Sequence, residues 1–199
     1  MNSLENLFNP AAIQEYLTYH PEYAWIAVFS FAFFESMVIS GSIVPSIVLF
    51  SVCVFLFDQG ILSLIYIAPI AIIGAHLGDL GGFLVGKYFG TKVLEFNFFQ
   101  NRKSLIDKAT IAADRFGPLA VVMGRFMPAI RPIMPFFLGV TRLQTSRFYI
   151  ADIVACSCWG LALVLMLLGV QEIGFINTII IALIVVLSFF YISNKVTKK

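Results

Sequence analysis

The 199-residue chain is 60% hydrophobic and only 12% charged, with a mean hydropathy of +0.93. A soluble domain of this size carries about 25% charged residues, so the composition describes an integral membrane protein of one domain. The net charge of +2 is too small to point to nucleic acid. Cys53, Cys156 and Cys158 are odd in number, lack CxxC spacing and lie in apolar stretches. They read as buried thiols and imply no disulfide.

Residues 1–22 hold no Lys or Arg and no apolar core leading to a cleavage site, so they do not read as a signal peptide. Leu4, Leu7, Phe8, Ala11, Ala12, Tyr16 and Tyr19 recur at loose helical intervals, with Pro10 interrupting. The expectation is a partly helical interfacial arm. Residues 23–57 are apolar, too long for one span and short for two. Glu35 lies inside them, and Ser40-Gly41-Ser42 and Pro45 break them. This is expected to be a first re-entrant hairpin. Residues 61–86 form a full span carrying His76 and Asp79. Residues 87–117 are the only long polar stretch, and 100–116 read as an amphipathic helix on the cytoplasmic surface.

Residues 118–140 hold Arg125 and Arg131 and no other charge. An arginine at bilayer depth costs roughly 2.5–3.5 kcal/mol on insertion scales. A carboxylate, a wet cavity or an anionic ligand must offset it. Six residues advance a helix by about 600°, so an unbroken helix would aim the two guanidinium groups at different faces. Pro128, Pro132 and Pro135 break it. The expectation is a second re-entrant hairpin that brings both arginines to one polar spot, since irregular backbone at that depth must be buried or line a cavity. Residues 141–148 form a basic link, and 149–170 and 175–194 are two further spans.

Charge supports the same arrangement. Lys87, Lys92, Arg102, Lys103, Lys108 and Arg115 precede the arginine block, Arg142 and Arg147 follow it, and Lys195, Lys198 and Lys199 end the chain. Basic loops favour the cytoplasm. All these clusters fall on that side if 118–140 dips in and returns, and they do not if it crosses. The resulting fold class is an all-α polytopic membrane protein. It has two opposing proline-broken hairpins, about three full transmembrane helices and amphipathic surface helices. Inverted halves with broken helices are a transporter plan with the site near the midplane.

A planar fork of donors suits phosphate or carboxylate, so Arg125 and Arg131 are the candidate anion site, with a purely structural role as the alternative. Glu35 and Asp79 are the candidates for charge balance or proton coupling. Gly78, Gly82, Gly86 and Gly90 recur every fourth residue, as close helix packing requires. His76 and Trp159 read as packing residues, and Trp25, Tyr149 and Tyr191 as interfacial aromatics. Metal-ligand spacing, HExxH and GxSxG are absent from the sequence. Arg131-Pro132 resembles a fragment of lipid phosphatases, but those need downstream histidines and none follows His76. No enzymatic role, metal or cofactor is expected.

Gly124-Arg125-Phe126, Pro128, Arg131-Pro132, Pro135 and Gly139, followed by Phe148 and Trp159, resemble the arginine motif of the DedA family, also called SNARE-associated or VTT-domain proteins. Phe34-Glu35 resembles that family's first-hairpin carboxylate, and Gly78-Asp79, Gly82-Phe83, Gly86-Lys87 and Gly90 resemble its glycine–acidic block. The resemblance covers roughly residues 23–165. It implies two facing re-entrant hairpins and movement of phospholipids or undecaprenyl phosphate between leaflets, with proton-linked membrane fitness. Many bacterial members place Gly and an acid after the first-hairpin proline; here Ser46 and Ile47 follow Pro45. Asp152 would supply the missing carboxylate if it faces the cavity.

The expectation is therefore a flippase or transporter of a phosphate-headgroup lipid in the inner membrane, with a cytoplasmic C-terminus. Protons are a candidate second partner, and a homo-oligomer also fits. The alternatives are a proton- or cation-coupled transporter of a small solute and a non-transporting membrane-integrity protein.

Overall fold

The structure is a computed structural model that describes residues 9–38, 40–42, 45–93, 111, 115–125, 131–141, 143–174, 176–178, 180, 181 and 184. The described residues are helical, with no strand among them. Helix α1 spans Pro10–Tyr19, and a 3₁₀ turn at Pro21–Tyr23 leads into α2, Ala24–Ser36. A break with a second 3₁₀ turn at Ser40–Ser42 separates α2 from α3, Ser46–Asp58. Helix α4 is Leu64–Val93, α5 Leu119–Arg125, α6 Met134–Val140 and α7 Thr145–Ile173.

Several boundaries differ from the sequence expectation. Pro10 starts α1 instead of interrupting it. Its missing N–H is no loss at a first helical position, and the Asn9 side chain accepts from Ala11 N at 3.1 Å. The arm then docks on α3: Leu17 is buried, and Gln14 Nε2 donates to Ser51 O and Oγ at 3.3 and 3.1 Å. Helix α4 runs to Val93, beyond the expected end at 86, and holds Pro69 near its start. Helix α7 begins at Thr145, inside the expected link, and continues through Glu172 to Gly174, where a φ of 83° ends it. Pro135 likewise starts α6, at N1/N2, and does not break it. Cys158 is exposed, not buried. Pro128, Arg142, the basic C-terminus and nearly all of the 100–116 segment lie outside the described residues, as does most of the 175–194 span.

Helix α4 is the platform of the fold. Glycines line it at every fourth position from Gly74 to Gly90, and all but Gly82 mark a close approach. A Cβ at Gly74 or Gly78 would meet Phe29 O or Phe33 O of α2; one at Gly86 or Gly90 would meet Phe136 O or the Val140 side chain of α6. The contacts advance together, so α2 and α6 both run parallel to α4, on its first and second halves. Helix α7 runs antiparallel: a Cβ at Gly160 would touch Ile72, and Lys87 Nζ donates to Thr145 Oγ1 at 2.7 Å.

The two broken segments therefore approach the middle of α4 from opposite ends. They meet there, where a Cβ on Gly41 would lie 2.9 Å from Pro132 Cβ. Helices α2 and α3 have 13 residues each, about 20 Å, which is short of the roughly 30 Å bilayer core. Helices α4 and α7 are long and apolar enough to cross a membrane. Along α7, Ile150, Ile153, Val154, Leu161, Leu165 and Leu168 are exposed. This apolar stripe faces outward, as lipid requires and water disfavours.

Candidate functional site

The interior divides into two apolar clusters. One joins Leu17, α2, α3, the first half of α4 and the far half of α7. The other joins Val38, Phe83, α5, α6, Phe148 and Ala155. Among the described residues, five buried charged ones lie between them: Glu35, Asp79, Arg125, Arg131 and Asp152.

The local chain explains each position. Glu35 and Ser36 are the last two residues of α2, at the break. Arg125 is the last described residue of α5. Arg131 and Pro132 lie in the turn before α6. Asp79 lies mid-way along α4, one turn from His76, and Asp152 two turns into α7. Pro45 directly precedes α3 in an extended conformation, with φ −71° and ψ 133°.

Arg131 Nη1 donates to Glu35 Oε1 at 2.6 Å, and its Nη2 reaches Ser36 Oγ at 3.5 Å. Arg125 Nη1 donates to Asp79 Oδ2, and lies 3.9 Å from Asp152 Oδ1. The structure thus brings together Arg125, Arg131, Glu35 and Asp79. It adds three residues that the sequence reading placed elsewhere or left open. Asp152 is fully buried and faces the cluster. His76 Nδ1 lies 2.6 Å from Asp152 Oδ2, so His76 is a member of the charge network and not a packing residue alone. Trp159 lies against both guanidinium groups, whose central carbons are 5.3 and 5.1 Å from its ring centre. Its role exceeds packing, because a cation over an indole face is attracted by the ring quadrupole. The signal for Asp152 was available: it is the sole carboxylate in α7 before Glu172, and an acid inside an apolar span is rarely idle.

The cluster is not fully satisfied. Arg125 Nε and Nη2, Arg131 Nε, Glu35 Oε2, Asp79 Oδ1 and Asp152 Oδ1 are buried and make no hydrogen bond among the described residues. Buried polar atoms are normally paired, so these donors and acceptors are free to serve a ligand, water or proton. A shallow cleft of about 320 Å³ between α1 and α2 is lined by Ala12, Ile13, Tyr16, Tyr23, Ile26 and Ala27. Among the described residues its lining carries no charged side chain and shares no residue with this cluster.

The VTT domain profile matches residues 44–171, which covers α3 through nearly all of α7. The chain belongs to the VTT-domain, or DedA, family. The inner membrane protein YabI of Escherichia coli K12 is 30% identical over 149 residues, covering 75% of this chain and 59% of YabI. The E. coli inner membrane protein YghB is 26% identical over 68% of this chain and 62% of its own length. E. coli Protein DedA is 26% identical over 45% of this chain and 42% of its own. The chain thus spans about three fifths of the length of YabI. No solved structure matches it. Membership and the two apolar helices make this VTT-domain chain a membrane protein.

Proposed function

We propose that this chain moves a lipid with an anionic phosphate headgroup, undecaprenyl phosphate or a phospholipid, across the inner membrane. The observation that carries the reading is the pair of buried arginines whose Nε and Nη atoms are only partly used by protein. Guanidinium forks match phosphate oxygens in pairs. Glu35 and Asp79 occupy the forks when no phosphate is present, which keeps two buried cations from standing unpaired. Phosphate then replaces carboxylate, and Trp159 holds both guanidinium groups in place during the exchange. The tail stays in the bilayer beside the outward apolar stripe of α7, so only the headgroup needs shielding.

In this reading the two broken segments are re-entrant hairpins from opposite membrane faces, and α4 and α7 cross fully. Residues 87–117, 141–148 and 195–199 face the cytoplasm. The reading is transport without chemistry on the headgroup, so no catalytic residue is assigned. Purified protein in liposomes, with headgroup-labelled phosphate lipid, tests it: accelerated flipping of a phosphate lipid but not of a neutral one is the expected result. Equal rates with and without protein would remove it. Cysteine labelling at Thr145→Cys and Glu172→Cys tests the topology, with opposite accessibility expected.

A second reading, a proton- or cation-coupled transporter of a small solute, is favoured by one observation. Three carboxylates face two arginines, and His76 adjoins the third. That surplus of acid suits a cation or proton. Solute uptake without lipid flipping in the same liposomes would select it.

A further inference from the structure

His76, Asp152 and Cys156 form one edge of the charge network, joined to Arg125 through the Asp152 carboxylate. His76 comes from α4, whereas Asp152 and Cys156 are four residues apart on α7 and share one face. Side chains converging from facing helices are how helical bundles build metal sites. His76 Nδ1, Asp152 Oδ2 and Cys156 Sγ all lie within 4.8 Å of one another. We propose that these three residues bind a zinc-class divalent transition-metal ion.

The spacing supports this. Ligands about 2.0–2.3 Å from a tetrahedral zinc ion lie about 3.3–3.5 Å from one another. The Cys156–Asp152 separation is already 3.5 Å. The His76–Asp152 separation of 2.6 Å must widen by about 0.7 Å, and the His76–Cys156 separation, within 4.8 Å, must settle at about 3.5 Å, so the His76 and Cys156 side chains rotate on binding. The donor set is one imidazole, one carboxylate and one thiolate. Such a mixed set suits zinc or cobalt; calcium and magnesium require oxygen ligands.

Charge and protons also balance. Thiolate and carboxylate neutralise a dication, and the thiol proton leaves to solvent. The imidazole binds through Nδ1 and carries its proton on Nε2, which makes no hydrogen bond among the described residues. The Asp152 carboxylate can serve both neighbours: Oδ2 faces His76 and Cys156, while Oδ1 lies 3.9 Å from Arg125. Asp79 Oδ2, which accepts from Arg125, lies 4.0 Å from the sulfur. Arg125 remains paired with Asp79 when Asp152 turns to the metal, so binding leaves no cation stranded. Three protein ligands leave a fourth position for water, the pattern of an exchangeable zinc site. The His76 side chain is 13% exposed while that of Asp152 is fully buried, so the ion enters past His76 and Tyr149, whose ring stands edge-on to it at 4.8 Å.

The test uses the full chain in detergent, stripped with chelator and titrated with Co²⁺. The expected result is one tetrahedral cobalt per chain, with a thiolate-to-cobalt charge-transfer band that Zn²⁺ displaces. Cys156→Ser should abolish the band, and Cys53→Ser/Cys158→Ser should keep it. His76→Ala and Asp152→Asn should each weaken binding by more than the about 10–100-fold that an outer-shell partner is worth. Absence of the band in monodisperse wild-type protein, or its survival in Cys156→Ser, overturns the proposal. A second measurement does not depend on the folding of a ligand variant. In the Cys53→Ser/Cys158→Ser background, Zn²⁺ should protect Cys156 from maleimide, read by intact mass; equal labelling with and without Zn²⁺ also overturns it. Neither measurement involves transport, so failure here leaves the lipid reading untouched.

Discussion

The two arginines differ in how they are held. Arg125 lies on α5, its side chain is 2% exposed, and two carboxylates, Asp79 and Asp152, lie within 4 Å of it. Arg131 lies in a turn, its side chain is 9% exposed, and it has one carboxylate, Glu35, with Ser36 as a weaker partner. Both rest on Trp159. The difference suggests a division of labour. Arg125 is a deeply compensated charge that fixes α4, α5 and α7 together. In the proposed transport reading, Arg131, at the junction of the two broken segments, is the one that leaves its partner more readily for a phosphate.

The largest effect that would test this difference comes from stripping Arg125 of both acids. Asp79→Asn/Asp152→Asn leaves a buried cation without a counter-charge, which costs about 3–5 kcal/mol. Thermal unfolding in detergent should show it, with Asp79→Asn alone milder because Asp152 remains. Adding Arg125→Met should recover most of the loss. A double variant as stable as the parent would mean that Arg125 is not held by these acids.

Replacing each arginine by lysine sharpens the comparison. Lysine keeps the charge but not the planar fork. Arg131→Lys should reduce phosphate-lipid flipping more than about tenfold, or 1.4 kcal/mol of transition-state free energy, at nearly unchanged stability. Arg125→Lys should lose both flipping and stability. Arg147→Lys, on an exposed position of α7, should change neither. Full flipping by Arg131→Lys in liposomes would move the arginines into a structural role and favour the non-transporting alternative.

The smallest effect concerns what the two arginines share. Trp159→Leu removes a desolvated cation–π contact from each, worth about 1–2 kcal/mol, and Trp159→Phe should restore part of it. Measured in Arg125→Met and Arg131→Met backgrounds, the loss should shrink in both. If it shrinks in one alone, the indole serves that arginine and the shared contact has no energetic meaning.

Much of the site could be read from residue type and place. Glu35, Asp79, Arg125 and Arg131 are ionisable groups inside apolar runs, and each is expensive there unless partnered. Their pairing in the structure follows from that cost. The register could not be read. His76 and Asp152 are 76 residues apart, and they meet because α7 lies antiparallel on α4 with Gly160 against Ile72. Trp159 looked like one more apolar side chain of a span, because nothing local tells an indole facing lipid from one facing two cations. The helix limits at Val93 and Thr145 were missed for a similar reason. The Lys87–Thr145 hydrogen bond ties the start of α7 to the last third of α4, whereas composition alone placed both residues in loops.

The sequence by itself determined that this is a helical membrane protein, that its two arginine-bearing and glutamate-bearing segments are broken, and that buried charge must be paired. Those conclusions follow from composition, proline chemistry and the cost of desolvating an ion, which are local or additive. Which acid meets which arginine, and that Asp152, His76 and Trp159 join them, was decided by tertiary structure alone. Those contacts depend on how closely α2, α6 and α7 approach the α4 backbone. The glycines of α4 set that distance, but only the packed structure shows which helix lies against each of them.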